Sequence, residues 1–283
     1  MKAFASSMLS LLLLTAGLGC GQNKTAAAAD AQASAASSPA PASPATSSAP
    51  VGPALHIDSN RAWLYVKEII AFGPRWDGSK GQQKMGDYLH AKLKNDHVED
   101  DAFVADTPAG KVPMRNIVAK FPGTKDGIIV LGSHIDTNYP LRNTNFIGAN
   151  DGGSSTALLL AIADQLRGKK LEGYSVWLAF LDGEESIPSD KPGDLKWVDD
   201  YALFGSRHLS EKWQQDGTIK KIKAFLLADM IGDKDLDVWR DANSTPWLED
   251  LVYEAAQRLG YQSYFFSVNS RVGDDHMSFA RFG

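Results

Sequence analysis

Large apolar side chains at Ala62, Tyr65, Val66, Ile69 and Ile70 fall three and four positions apart behind Ser59, and Gly73-Pro74 follows them. That spacing gathers one stripe on a helix, and the Gly-Pro pair stops it. Met85, Leu89 and Leu93 repeat the interval and predict a second amphipathic helix. The pattern then changes to short apolar runs at 116–121 and 128–131, which predict strands joined by a turn at Pro122-Gly123. The Ala- and Leu-rich stretch 152–166 predicts a buried helix, and the continuous apolar runs 174–181 and 224–227 predict buried strands. A further helix is expected at 246–259, with Leu248, Val252, Ala255 and Leu259 on one face. Apolar strands alternating with helices predict an α/β fold, a three-layer sandwich whose mixed, mostly parallel central sheet is flanked by helices.

The chain ahead of that domain has a different texture. A single early Lys2, an apolar run at 8–18 and small residues up to Cys20 read as a bacterial-type secretion signal. The run is too short for a bilayer-spanning helix, which needs about 20 apolar residues. Cys20 follows Gly19 where a lipoprotein signal places its lipidated cysteine, so a lipid anchor and plain cleavage nearby are the two alternatives. Residues 21–55 are mostly Ala, Ser, Pro and Thr, a composition that cannot bury enough surface to offset its ordering entropy. The expected organisation is a signal at 1–20, a flexible linker at 21–55 and one domain at 56–283. Secretion across the inner membrane, to the periplasm or an envelope tether, follows from that pattern.

Charge and cysteine content narrow the chemistry. With 29 basic and 34 acidic side chains the formal net charge is −5. No large positive field is available for nucleic acid or an anionic membrane surface. The lone cysteine excludes an intrachain disulfide framework and a cysteine-rich zinc finger. A metal would have to sit on His, Asp and Glu.

Such residues collect where the predicted strands end. His134 and Asp136 follow the run 128–131, Asp182, Glu184 and Glu185 follow 174–181, and Asp229 follows 224–227. Asp151 lies in Gly148-Ala149-Asn150-Asp151-Gly152-Gly153, at the opening of a predicted helix. Ligands of open α/β sheets bind beyond the carboxyl ends of strands, so these groups are expected to converge on one crevice. Carboxylates packed that closely repel unless a cation sits among them. Zinc takes His nitrogen and carboxylate oxygen, and a catalytic site leaves one position open. Each segment alone has a plainer reading: His134-x-Asp136 as a surface turn, Asp151 as a helix cap, Glu184-Glu185 as a solvated loop, Asp229 as a turn residue. Those readings would have to hold at every strand end together.

The order Gly132-Ser133-His134-Ile135-Asp136-Thr137, Gly148 to Gly153, Glu184-Glu185 and Asp229-Met230 resembles the zinc-dependent aminopeptidase superfamily, which includes the glutaminyl cyclases. Asp182-Gly183-Glu184-Glu185, Trp197, the segment 203–209 and Asp274-Asp275-His276 are more similar to the cyclase branch, as is the long spacing from Glu185 to Gly205. The resemblance implies Asp151 and Glu185 as zinc ligands and Glu184 as general acid/base. It further implies Asp229 and Asp274 as hydrogen-bonding acids around Glu184, and Trp197 as a substrate-pocket residue. His134 would ligate metal in a two-zinc aminopeptidase and stand beside it in a one-zinc cyclase. The implied reaction converts the N-terminal glutamine of a peptide or protein to pyroglutamate with release of ammonia, in a monomeric enzyme.

The family pattern also places a last histidine ligand downstream of Asp-Asp-His, beyond Gly283. The expectation is therefore a chain lacking its C-terminal part, a fragment rather than a catalytically crippled relative. Three functions stay open: a glutaminyl cyclase, a co-catalytic zinc aminopeptidase, and an inactive binding relative. His208, in Gly205-Ser206-Arg207-His208, reads as a structural turn residue.

Overall fold

The computed structural model describes residues 56–188 and 197–282, all within the compact unit Pro53–Gly283. The expected signal, Cys20 and the linker lie outside the described residues. Among those described, no helix is long and apolar enough to cross a membrane.

The first helix, α1 (Ser59–Ile70), starts where the Asp58 carboxylate accepts the backbone N–H of Asn60 and Arg61. Ser79 caps α2 (Lys80–Leu93) by accepting from Gln82. Both caps satisfy amide donors that have no partner inside the helix. The chain then runs through β1 (Glu99–Thr107), β2 (Gly110–Phe121), β3 (Gly123–His134), α3 (Gly153–Leu166), β4 (Leu171–Leu181), α4 (Phe204–Gln215) and β5 (Ile222–Leu227). After β5 come β6 (Val238–Asp241), α5 (Pro246–Leu259), β7 (Phe265–Ser270) and α6 (His276–Ala280).

Strand order in the main sheet is β1-β2-β4-β3-β5. Side chains alternate faces along a strand, and here the alternation separates two cores. Ile117, Ala119, Leu178 and Phe180 point to the face covered by α1, α2 and α3, where they meet Tyr65, Ile69, Met85, Leu89 and Leu160. Val118, Val130, Ala179 and Leu181 point to the other, against Leu209 and Trp213 of α4 and Phe279 of α6. The result is the expected three-layer arrangement. A separate two-stranded sheet pairs β6 with β7 in parallel.

The sheet is less parallel than the alternation of strands and helices predicts. β3 runs parallel to β4 and β5, whereas β2 runs antiparallel to both β1 and β4. Two physical causes apply. A central strand buried on both faces reads as an apolar run whatever its direction. In addition β1 carries Asp100, Asp101 and Asp106 and so escapes a search for apolar runs. Its inward Asp101 is buried because Asn116 and Lys212 donate to its carboxylate at 3.0 and 2.9 Å. His208 also departs from expectation, lying inside α4 rather than on a turn.

Candidate metal centre

The parallel trio β5, β3 and β4 directs its carboxyl ends to one edge of the sheet. The ladder continues past the strands: Ile135 donates its N–H to Leu181 at 2.8 Å and Ala228 donates to Gly132 at 2.9 Å. These bonds hold the segments after the three strands side by side, so His134, Asp182 to Glu185, and Asp229 come together.

His134 stands at the centre. Its Nε2 lies 3.1 Å from Asp151 Oδ1 and 3.1 Å from Asp229 Oδ1. Its Nδ1 lies 3.5 Å from Asp136 Oδ1 and 3.8 Å from Glu184 Oε2, and has no hydrogen-bond partner among the described residues. One donor atom from each of His134, Asp151 and Asp229 lies within 4.8 Å of the others. Nitrogen and carboxylate oxygen gathered at that spacing form a site for a divalent metal ion.

Asp151 reaches this position through a glycine-rich loop. Gly152 has φ +68°, and a Cβ there would stand 3.0 Å from His134 Cε1 and 2.9 Å from the Asp136 carbonyl oxygen. Glycine is required by backbone conformation and by close approach together. The helix-cap reading of Asp151 does not hold, because Gly152 precedes α3 and no side chain caps it.

Glu184 and Glu185 sit on a turn fixed by Asp136. The fully buried Asp136 carboxylate accepts the Glu184 N–H at 3.1 Å and the Glu185 N–H at 3.0 Å, one on each oxygen. Glu185 Oε2 accepts from Asn138 Nδ2 at 2.7 Å, and the Glu184 carboxylate receives no side-chain or backbone hydrogen bond among the described residues. The two neighbours are therefore in different environments, as an acid/base beside a tethered carboxylate requires. Sequence reasoning missed the anchoring role of Asp136 because its partners are backbone amides.

Concentrated negative charge marks the crevice. Burial pushes the Glu184 carboxyl well above the usual range; Asp274, Asp275 and Glu185 add to the rise and His134 opposes it. Glu185 is pushed up to about 8 by burial, then by Asp151 and Asp136. Asp274 is raised to about 6 by burial and by Asp229. Burial disfavours a charge on His134, yet Asp136, Asp151 and Asp229 outweigh it and hold the imidazole well above its ordinary value. Burial likewise opposes ionisation of Asp229, but its hydrogen bond to His134 leaves it below the usual carboxylate range. Acids packed this closely repel one another when ionised, and a cation among them would relieve that repulsion.

The residues expected to form the site thus meet, with Asp274 close enough to act electrostatically on Glu184. Trp197 is different: it is exposed, and its indole Nε1 donates to Asp199 at 2.7 Å. The adjacent Val198 is anchored to Ser186 Oγ at 3.1 Å, two residues beyond Glu184. Beneath the site a polar layer ties Asp182, one of the strand-end acids, to Asp77 and Gln82, two residues that sequence reasoning did not single out. Gln82 Nε2 donates to Asp182 Oδ2 at 2.7 Å and to Asp77 Oδ1 at 3.1 Å. The only sequence signal of Asp77 and Gln82 was the Gly-Pro helix stop just upstream.

An α/β sandwich whose parallel strand ends deliver one histidine and several carboxylates to a group positioned to bind a metal defines a metallohydrolase-like class of protein. The model of peptidase family M28 matches residues 116–283, and the chain belongs to that family. It is similar to a glutaminyl-peptide cyclotransferase-like protein of Bos taurus, 28% identical over 257 residues, covering 80% of this chain and 65% of that protein. A glutaminyl-peptide cyclotransferase of Drosophila melanogaster is 30% identical over 181 residues, covering 61% of this chain and 49% of its own length. The chain thus spans about half of one of these curated relatives and just under two thirds of the other. Among solved structures, a glutaminyl cyclase from an Acidobacteriales bacterium is 49% identical with a TM-score of 0.77, covering 83% of this chain and 79% of that one. A leucine aminopeptidase precursor from Bacteroides thetaiotaomicron is 27% identical with a TM-score of 0.67, covering 82% and 83%.

Proposed function

We propose that this protein is a zinc-dependent glutaminyl-peptide cyclotransferase acting on the N-terminal glutamine of peptides and proteins. The observation that carries the reading is the placement of Glu184: buried, 3.8 Å from His134 Nδ1, and without a hydrogen-bond partner among the described residues at the rim of the metal group. The 49% identity to a glutaminyl cyclase supports the choice of substrate.

The resemblance assigns the ion to Asp151 and Glu185, whereas the group gathered here is His134, Asp151 and Asp229, with Asp229 bonded to His134 rather than to Glu184. Asp151, common to both sets, would hold the ion with Glu185, His134 and Asp229 around it. When bound, zinc supplies a Lewis acid toward a carboxamide oxygen. Glu184 accepts a proton from the α-amino group as its nitrogen forms a bond to the side-chain Cδ. Glu184 then returns that proton to the departing nitrogen as the Cδ–N bond breaks, so ammonia leaves and the lactam closes. A base with a raised pKa suits both halves, because it holds the proton it takes long enough to deliver it. Positioned acid/base groups of this kind supply about 10²–10⁴-fold. Asp274 beside Glu184 raises its basicity further, and Trp197 is assigned to the substrate side. Ring closure is intramolecular, so holding the glutamine folded back on its own amine lowers the barrier as well.

A two-ion aminopeptidase is the second reading, favoured by His134 standing 3.1 Å from both aspartates. A Gln-initiated peptide incubated with the zinc-loaded protein separates the two. Ammonia release without chain shortening supports the cyclase, and release of free glutamine overturns it. On the pattern of residues 1–20 we also infer export to the bacterial envelope. Labelled palmitate incorporated at Cys20 distinguishes an anchor there from simple cleavage.

A further inference from the structure

Arg75 belongs to no site described so far, although it is fully buried and its charge is unusual in such a place. Among the described residues it makes no side-chain ion pair. Its guanidinium donates instead to four backbone carbonyls: Nε to Ile135 at 2.9 Å, Nη1 to Ile147 at 2.7 Å, and Nη2 to Gly148 at 2.9 Å and to Asp151 at 3.5 Å. Ile135 follows His134 in the chain, and Asp151 is itself in the metal group. One rigid fork therefore joins the strand end carrying the histidine to the loop carrying the first aspartate.

The arginine is fixed from its own side too. Its backbone N–H donates to Thr137 Oγ1 at 2.9 Å. Gly81 of α2 packs so closely on the preceding turn that a Cβ would lie 2.0 Å from the Pro74 carbonyl oxygen and 3.3 Å from Arg75 Cα. Packing thus settles where the guanidinium sits before any ligand arrives. Burial lowers its pKa to about 10, with Asp136 and Asp151 opposing the fall, so the group is cationic at neutral pH.

We propose that Arg75 is a positioning residue that pre-orders the Asp151 loop for metal, by clamping residues 147–151 to the His134 strand end through backbone carbonyls. Four of the five N–H donors of the planar fork reach the four acceptors, and a lysine with three donors on a flexible stem cannot reproduce them. Groups that orient metal ligands from behind typically change metal affinity 10–100-fold when replaced. The inference rests on the metal centre proposed above, though not on the reaction assigned to it.

The test is a zinc competition titration against a chelator on the full chain, comparing wild type, Arg75→Lys and Arg167→Lys. Arg167 is an ion-paired arginine just past the far end of α3, about 20 Å along the helix from the Asp151 loop. Arg75→Lys is expected to bind zinc 10–100-fold more weakly and to show an altered cobalt(II) visible spectrum, with Arg167→Lys within twofold of wild type. Equal affinity in folded Arg75→Lys and wild type overturns the proposal. A wild type that binds no zinc removes the metal centre itself, a different failure. Should Arg75→Lys not fold, proton exchange at Arg75 Nε in the metal-free wild type decides. Slow exchange before zinc is added supports pre-ordering; exchange at the rate of free arginine until zinc arrives defeats it.

Discussion

Raising the pH should destabilise this protein when no metal is bound. A buried carboxyl whose folded pKa exceeds its unfolded value binds its proton more tightly in the native state. Its contribution to stability is complete below the unfolded pKa and is lost as pH rises toward the folded one. Glu185 moves from 4.5 to about 8 and Asp182 from 3.8 to about 7, both chiefly through burial. Each unit is worth about 1.4 kcal/mol, so Glu185 alone corresponds to a loss of about 5 kcal/mol across that window. His134 acts in the same direction: its raised pKa gives stability that is full below 6.5 and fades above it. His276, lowered by burial, works the other way as a single half-buried group. Carboxylates with depressed values, such as Glu99 beside Lys120 and Lys212, finish titrating below the window. The net sign is destabilising.

The buried acids share protons among themselves, so their contributions do not add. A fall of several kcal/mol between pH 5 and 8 is the expected scale, a large share of the 5–15 kcal/mol that holds a typical domain together. Urea unfolding in the presence of a chelator, followed by tryptophan fluorescence, measures it. Saturating zinc should reverse the trend, because ligands bind metal only when deprotonated and the stabilisation by metal therefore grows with pH. Metal-free stability that stays flat or rises from pH 5 to 8 would refute the reasoning. It would mean that these carboxyls ionise freely and that the crevice carries no electrostatic strain for a cation to relieve.

Two substitutions test the site more locally. Glu184→Gln should retain zinc and the fold while losing about 10²–10⁴-fold in kcat, read from ammonia release; turnover within threefold of wild type would count against Glu184 as the proton carrier. Gly152→Ala places a methyl group 3.0 Å from His134 Cε1 on a backbone with φ +68°. It should cost about 1–3 kcal/mol and weaken zinc binding, measured by thermal melts with and without metal.

The sequence carried the site better than the scaffold beneath it, and the reason lies in what each set of residues bonds to. His134, Asp151, Glu184 and Asp229 face one another as side chains, so their chemistry is written in residue identity and in position after an apolar strand. Strand ends were legible because apolar runs such as 174–181, buried over their last four residues, have almost no polar interruption. Asp136 and Arg75 act on backbone atoms, which every residue possesses. Arg75 spans 60 to 76 positions to reach its carbonyls, and no local pattern announces such a bond. The same blindness hid α4, whose buried face includes Gly205, Ser206 and Ser210 beside Leu209 and Trp213. A Cβ on Gly205 would stand 2.1 Å from the Asp182 carbonyl oxygen, so small residues there serve close packing under the Glu184 turn rather than an apolar stripe. The polar residues of β1 follow the same logic, since Asp101 is tolerated inside because Asn116, Lys212 and His208 meet it from other elements. What failed to show in the sequence is the support that fixes the ligands in place, and the effect of replacing Arg75 on zinc affinity measures how much of the metal site that support provides.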